Sequence, residues 1–234
     1  MDTLANREGF IWMDGQLINW ADAKVHVLTH TLHYGLGVFE GVRAYSTPEG
    51  TKIFRLNDHT NRLFESAKAV NMKIPFSQQE INEAQKEVFR VNELDEGYIR
   101  PMCFYGSEGM GLRADNLKVH CIVAAWEWPS YMSPEAFEKG INIKISSYKR
   151  ETGNIVSRST VNGNYVTSIM ALQEAMKEGY DEALLLDDED NISEGSGENF
   201  FIVKNKTLYT PDLDASLDGI TRKSIISLAE ELGI

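Results

Sequence analysis

Cysteine is nearly missing from this chain. Two occur in 234 residues, Cys103 and Cys121, each inside an apolar run. That excludes a disulfide framework and fits a reducing, cytoplasmic setting. Positive charge is also scarce: Lys+Arg 23 against Asp+Glu 35 gives a net charge of −12. Nucleic acid and anionic membranes are held through positive patches, so neither is expected as a partner. No apolar run approaches the length of a membrane span, and Met1 to Glu8 is too polar for a signal peptide. His30 and His33 have no cysteine or acidic cluster to support them, so structural histidines are expected rather than a metal site. There is no G-x-S-x-G and no P-loop. Gly195-Ser196-Gly197 opens like a dinucleotide fingerprint, but Phe200 stands where the third glycine belongs.

What is present is enough to build a core. Apolar residues make up 42% and aromatics 10%, which excludes wholesale disorder and suits one large domain or two modest ones. Phe10–Met13, Asp14-Gly15 and Gln16–Trp20 read as a hairpin. Val38–Tyr45 and Thr51–Phe54 read as strands. Asn57 or Asp58 caps a helix running to about Asn71, and Ser77–Glu80 is a capping box for the next. Tyr98–Tyr105 and Val119–Trp126 read as strands. Trp128–Pro134 reads as a linker, with Ser133 capping a short helix. Beyond it, Ile141–Ile145, Glu182–Asp187, Asn199–Val203 and Thr207–Thr210 read as strands, and Tyr165–Glu178 and Thr221–Leu232 as helices. Strands outnumber helices without a regular βαβ repeat, so the class is α+β. The domains expected are 1–127 and 137–234, with 128–136 between them.

Polar, glycine-rich runs interrupt this pattern. They are His33-Tyr34-Gly35 with Phe39-Glu40-Gly41, Gly163-Asn164-Tyr165, Ser193 to Asn199, and Leu217 to Arg222. The last opens a helix, whose first N–H groups and Thr221 hydroxyl can hold a phosphate. Alone, that run reads better as an ordinary loop and N-cap.

Together with Tyr98-Ile99-Arg100-Pro101 and Gly109-Met110-Gly111, these runs resemble the fold-type IV pyridoxal-phosphate enzymes, and most closely the branched-chain amino acid aminotransferases. The resemblance covers almost the whole chain. It implies a small N-terminal α/β domain and a larger barrel-like α+β domain that continues past Ile234. It implies pyridoxal 5′-phosphate as cofactor, and transfer of the amino group of Leu, Ile or Val to 2-oxoglutarate through a Schiff base. It implies a homodimer or dimer-based hexamer. For the cofactor it implies Arg62, Ile220 and Thr221 on the phosphate, with Gly197 and Gly219 in the binding loops. Glu194 would meet the pyridine nitrogen, where a carboxylate keeps the ring protonated. Tyr165 would meet the phenolic oxygen, and Leu217 one ring face. For the substrate it implies an apolar pocket of Tyr34, Phe39 and Tyr131, with Trp128 a further candidate. Arg100, beside Tyr98, would meet the distal carboxylate of glutamate.

The lysine such chemistry needs is not written in the sequence. Counting back from Tyr165 by the family spacing gives Thr160, and counting on from Arg150 of Ser146-Ser147-Tyr148-Lys149-Arg150 gives Val161. One residue inserted between Thr160 and Val161 satisfies both counts, and the Schiff-base lysine is expected there. The alternatives are D-amino acid transamination or aminodeoxychorismate lysis on the same fold, or a lysine-less, non-catalytic cofactor binder.

Overall fold

Asp14 and Gly15 take φ of 49° and 95°, the pair of positive values that a two-residue hairpin turn needs. They join β1 (Phe10–Met13) to β2 (Gln16–Asn19) in the expected register, Phe10 opposite Asn19 and Met13 opposite Gln16. The structure, a computed structural model, describes residues 3–129 and 134–234. The chain divides into two compact units, Met1–Pro129 with Val161–Gly163, and Ser130–Thr160 with Asn164–Ile234.

The first unit is built on one antiparallel sheet. Its further strands are β3 (Gly37–Phe39), β4 (Val42–Tyr45), β5 (Lys52–Ile53), β6 (Gly97–Tyr105) and β7 (Val119–Trp126). The order is β2-β1-β7-β6-β4-β5, with β3 also pairing β6. The expected single strand Val38–Tyr45 is therefore two short ones. Pro101 of β6 lies opposite the break and has no N–H to offer that edge, although its carbonyl accepts from Glu40 N–H at 2.9 Å. Gly41 fills the gap because a Cβ there would lie 2.1 Å from the Tyr98 hydroxyl.

Helices α1 (His30–Tyr34), α2 (Leu56–Ala69) and α3 (Gln78–Val91) complete the unit. In α3 the buried residues are Ile81, Ala84, Gln85, Val88 and Phe89, one face of a 3.6-residue period. The capping box forms as expected: Ser77 Oγ accepts from Glu80 N–H at 3.2 Å and Glu80 accepts from Ser77 N–H at 2.7 Å. The cap of α2 differs from expectation. Arg55, at φ 48°, precedes the first helical residue, and Asp58 instead accepts from Arg55 Nε at 2.7 Å. Leu63, Val88, Val42, Ile99 and Val123 are wholly buried between helices and sheet. Each such side chain contributes about 1.5–3 kcal/mol.

The second unit contains α4 (Pro134–Lys139), β8 (Ile143–Arg150), α5 (Tyr165–Lys177), β9 (Glu182–Asp187), β10 (Ile192–Gly195), β11 (Ile202–Lys204), β12 (Thr207–Tyr209) and α6 (Ile220–Leu232). Strands β8 and β9 are parallel and joined through α5, which lays Ala171 and Ala175 on Ala183 and Leu185. Small residues let the helix approach the sheet closely. Strand β10 runs antiparallel to β9, and β11 pairs with β12 in a two-stranded sheet. The run Ser193–Gly195, read from sequence as an interruption, is thus a strand. Asn199, expected to begin a strand, forms an isolated bridge with Glu194, and β11 begins at Ile202. Ser133, the expected cap of α4, lies outside the described residues. Among those described, no helix is long and apolar enough to cross a membrane.

Candidate active site

A pocket opens within the second unit where the end of β8, the head of α5, the end of β10 and the loop before α6 converge. Arg150, Ser157, Asn164, Tyr165, Glu194, Gly197, Glu198, Asn199 and Leu217 are among its walls. The strand β10 is fastened to the loop beside it. Ser193 Oγ donates to Ala215 C=O at 2.9 Å, and Ser216 Oγ donates to Ser193 C=O at 3.1 Å. Glu194 is thereby turned inward, where it accepts from Leu217 N–H at 2.9 Å and pairs with Arg150 Nη2 at 3.0 Å. Both side chains are almost fully buried. Burial pushes the Glu194 carboxyl up. The Arg150 charge and the Leu217 N–H pull it back only in part, so it stays above the ordinary glutamate range.

The mouth of α6 is shaped by a close approach. Asn199 Nδ2 donates to Leu217 C=O at 2.9 Å, and its Oδ1 lies 1.9 Å from where a Cβ on Gly219 would stand. A side chain at 219 would have to displace the Asn199 amide, even though the φ of −65° suits any residue. Gly219, the N-cap of α6, has no side chain of its own to cap the helix, and Ile220 and Thr221 form its first turn at the positive end of the dipole. Tyr165, the first residue of α5, is half-buried in the pocket wall. Glu198 is pushed up by burial first, then by the charges of Glu182 and Glu194.

These positions bring together Tyr165, Glu194, Gly197 and Leu217 of the sequence-predicted set, with Gly219, Ile220 and Thr221 on the loop and helix that follow Leu217. The walls include no lysine among the described residues. The chain passes from Thr160 straight to Val161, which bridges Val38 of β3. Arg62 belongs to the first unit. There its Nε and Nη2 donate to the two oxygens of Glu40, at 2.6 and 2.9 Å. His59 Nδ1 lies 2.7 Å from the same carboxylate, which is wholly buried. Burial pushes Glu40 up, but the His59 and Arg62 hydrogen bonds and the Arg62 charge outweigh it, and the carboxyl is held below its usual range.

The predicted substrate residues also cluster in the first unit. Arg100 Nη2 donates to the Tyr98 hydroxyl at 2.8 Å, and its guanidinium lies over the Phe39 ring at 4.4 Å. Arg100 Nε is buried with no protein acceptor. Trp128 packs edge-on against Tyr98 at 4.7 Å. Tyr34 is more exposed, its hydroxyl accepting from Gly111 N–H at 3.2 Å. Tyr131 lies outside the described residues. His30 and His33 each meet a backbone carbonyl, of Gly111 and Val27. Arg150 and Glu40 had no assigned role from sequence. Arg150 serves there only to measure spacing, and Glu40 sits inside a run singled out as polar and glycine-rich.

The pocket suits a phosphorylated pyridine. It has a buried carboxylate for a ring nitrogen, a tyrosine on the wall and a helix N-terminus that opens on a glycine. Known proteins are similar to this chain throughout. The family description "Amino-transferase class IV" matches residues 37–234. A branched-chain-amino-acid aminotransferase of Pseudomonas aeruginosa PAO1 is 58% identical over 99% of this chain and 76% of its own length. The Escherichia coli K12 protein of the same name is 43% identical over 96% of this chain and 74% of its own. The crystal structure of an E. coli branched-chain amino acid aminotransferase superposes with a TM-score of 0.94, covering 97% of this chain and 76% of that one. The T.th. branched-chain amino acid aminotransferase with pyridoxamine 5′-phosphate superposes at 0.93 with 44% identity, over 97% and 75%. The pocket built on Glu194 and the match to profile, sequence and structure lead to one conclusion: this chain belongs to the class IV aminotransferase family.

Proposed function

We propose that the chain transfers amino groups between Leu, Ile or Val and 2-oxoglutarate, using pyridoxal 5′-phosphate. The observation that carries this reading is Glu194, a buried carboxylate fixed by Leu217 N–H and Arg150 on the pocket wall. When bound there, the cofactor supplies an electron sink for the bond to the substrate α-carbon. Glu194 keeps the ring nitrogen protonated. Tyr165 donates to the phenolic oxygen, and Leu217 packs on the ring. Gly197 leaves room for backbone close to the cofactor, and Gly219 lets Asn199 close on the binding loop. Ile220 and Thr221, at the head of α6, and Arg62 hold the phosphate.

For the substrate, Phe39, Tyr34, Tyr131 and Trp128 supply apolar surface, at about 0.8 kcal/mol per buried methylene. Arg100 takes the distal carboxylate of glutamate, which would satisfy its unpartnered Nε. Residues 1–127 form the small domain, and 137–234 belong to the cofactor-binding one. A lysine between Thr160 and Val161 would move the α-proton. We place the enzyme in the cytoplasm as a homodimer or dimer-based hexamer.

Two experiments test this. Reduction with borohydride and peptide mapping of Ser159–Met170 should give a mass greater than the written sequence by one lysine plus reduced cofactor. A mass equal to the written sequence removes the catalytic claim. Arg100→Ala should raise KM for glutamate and 2-oxoglutarate roughly 10- to 100-fold, the worth of a charge-assisted hydrogen bond. Unchanged glutamate kinetics would sink the Arg100 assignment.

A further inference from the structure

The segment Ser146–Arg150 divides its labour along β8. Ser146 Oγ and Ser147 Oγ each donate to Glu174 of α5 at 2.6 Å. With the Ser147 N–H they pull that carboxyl down to about 2. These contacts fasten strand to helix at the surface. Arg150 ends the strand nearer the head of α5. Its side chain is almost wholly buried, and two of its partners, Asn164 and Glu194, line the pocket. Nη2 donates to Ser168 Oγ at 2.7 Å and pairs with Glu194 Oε1 at 3.0 Å. Nη1 reaches Asn164 Oδ1, the residue before Tyr165, at 3.4 Å. Arg150 Nε is buried without a protein acceptor. One guanidinium therefore spans the head of α5, which carries Tyr165, and the carboxylate of β10.

We propose that Arg150 is a positioning residue for Glu194, holding that carboxylate ionised and aimed into the pocket so that the ring nitrogen of a bound pyridoxal phosphate retains its proton. The inference rests on the reading that Glu194 meets that nitrogen. The physics is a competition for one proton between two bases in a dry site. Desolvation favours the neutral pair, with the proton on Glu194 and an uncharged pyridine. A guanidinium on the far side of the carboxylate stabilises its anion and leaves the proton on the ring. No other cation lines the pocket among its described walls. The remaining titratable groups there are Tyr165 and Glu198, with Glu182 beyond. Burial and the Glu182 charge push Glu198 toward its neutral form. Arg150 is thus the group that balances Glu194.

The test is the nitrogen-15 shift of ring-labelled pyridoxal phosphate bound to the protein, with kcat and KM measured alongside. Arg150→Gln should move the shift toward that of neutral pyridine. kcat should fall about tenfold or more, with KM for leucine within about twofold, since the loss concerns the reacting ring and not substrate binding. In a Glu194→Gln background, Arg150→Gln should add nothing to the shift, because its effect passes through Glu194. A role confined to holding α5 would leave the nitrogen shift unmoved, and that result overturns the inference. If Glu194→Gln itself leaves the shift unmoved, the placement of Glu194 fails and Arg150 with it. If Glu194→Gln moves the shift and Arg150→Gln does not, only the role of Arg150 fails. Should Arg150→Gln not fold, Arg150→Lys carries the comparison. A lysine has one nitrogen in place of two and gives up the reach to Asn164 while it meets Ser168 and Glu194, so the shift should move part of the way. No movement overturns the inference.

Discussion

Glu40 and Glu194 are both buried glutamates paired with an arginine, yet they are tuned in opposite directions. Glu40, in the first unit, is met by both nitrogens of a bidentate Arg62 and by His59, and its carboxyl lies below the usual range. Glu194, in the second, has one arginine contact and one backbone N–H, and its carboxyl lies above it. Burial is the largest single influence on each, so the difference lies in how completely the charge is answered. Glu40 is a saturated anion and has nothing left to offer a ligand. Glu194 is answered in part, and faces a pocket. An under-compensated carboxylate of that kind is suited to a partner that brings its own proton and positive charge.

The largest test of this contrast is Glu40→Ala. It strands Arg62 and His59, and breaking a buried pair costs about 3–5 kcal/mol. Arg62 is partly open to solvent, so the lower end, about 3 kcal/mol, is expected. All four tryptophans, Trp12, Trp20, Trp126 and Trp128, lie in the first unit, so its urea transition can be followed by their fluorescence. An unchanged midpoint would mean that Glu40 does not anchor Arg62 and His59.

The contrast also predicts opposite pH dependences. The lowered Glu40 contributes stability above the ordinary glutamate value of 4.5 that is lost as pH falls through its folded value. The raised Glu194 contributes stability that is full below 4.5 and lost as pH rises through its folded value. Glu40→Gln should therefore flatten the acid limb of the stability profile. Glu194→Gln should flatten the limb on the neutral side. Each slope is limited to about 1.4 kcal/mol per pH unit and group. Denaturation series at several pH values would decide, and slopes of the same sign would dissolve the comparison.

The smallest effect sharpens it. Ser77→Ala removes a cap from α3 and should cost about 1 kcal/mol. It should lower the tryptophan-reported transition without altering the pH slope assigned to Glu40. A changed slope would show that the acid limb reports general loosening and not one carboxylate.

Much of the fold could be read from local pattern. Asp14-Gly15, Ser77–Glu80 and the helical run Tyr165–Glu178 each act within a few residues of themselves, so their signals sit in one short window. The break at Glu40-Gly41 could not be read that way, because its causes, Pro101 and Tyr98, lie on another strand. Strand β10 was hidden for a similar reason. Ser193 and Glu194 look like loop residues until Ala215, Ser216 and Leu217 arrive to bond them. The site follows the same division. Tyr165, Glu194, Leu217 and Thr221 stood out through motifs, whereas Arg150 shows its purpose only when folding sets it against Glu194.

Gly219 carries one more consequence. Its backbone torsions are ordinary, so a substitution survey guided by torsion angles would rank it as replaceable. The obstacle is the amide of Asn199, which occupies the space a methyl group would need. Positions 199 and 219 are therefore one unit of inheritance. A shorter residue at 199 is the condition under which 219 can drift, and sequences that keep Asn at the first should keep Gly at the second.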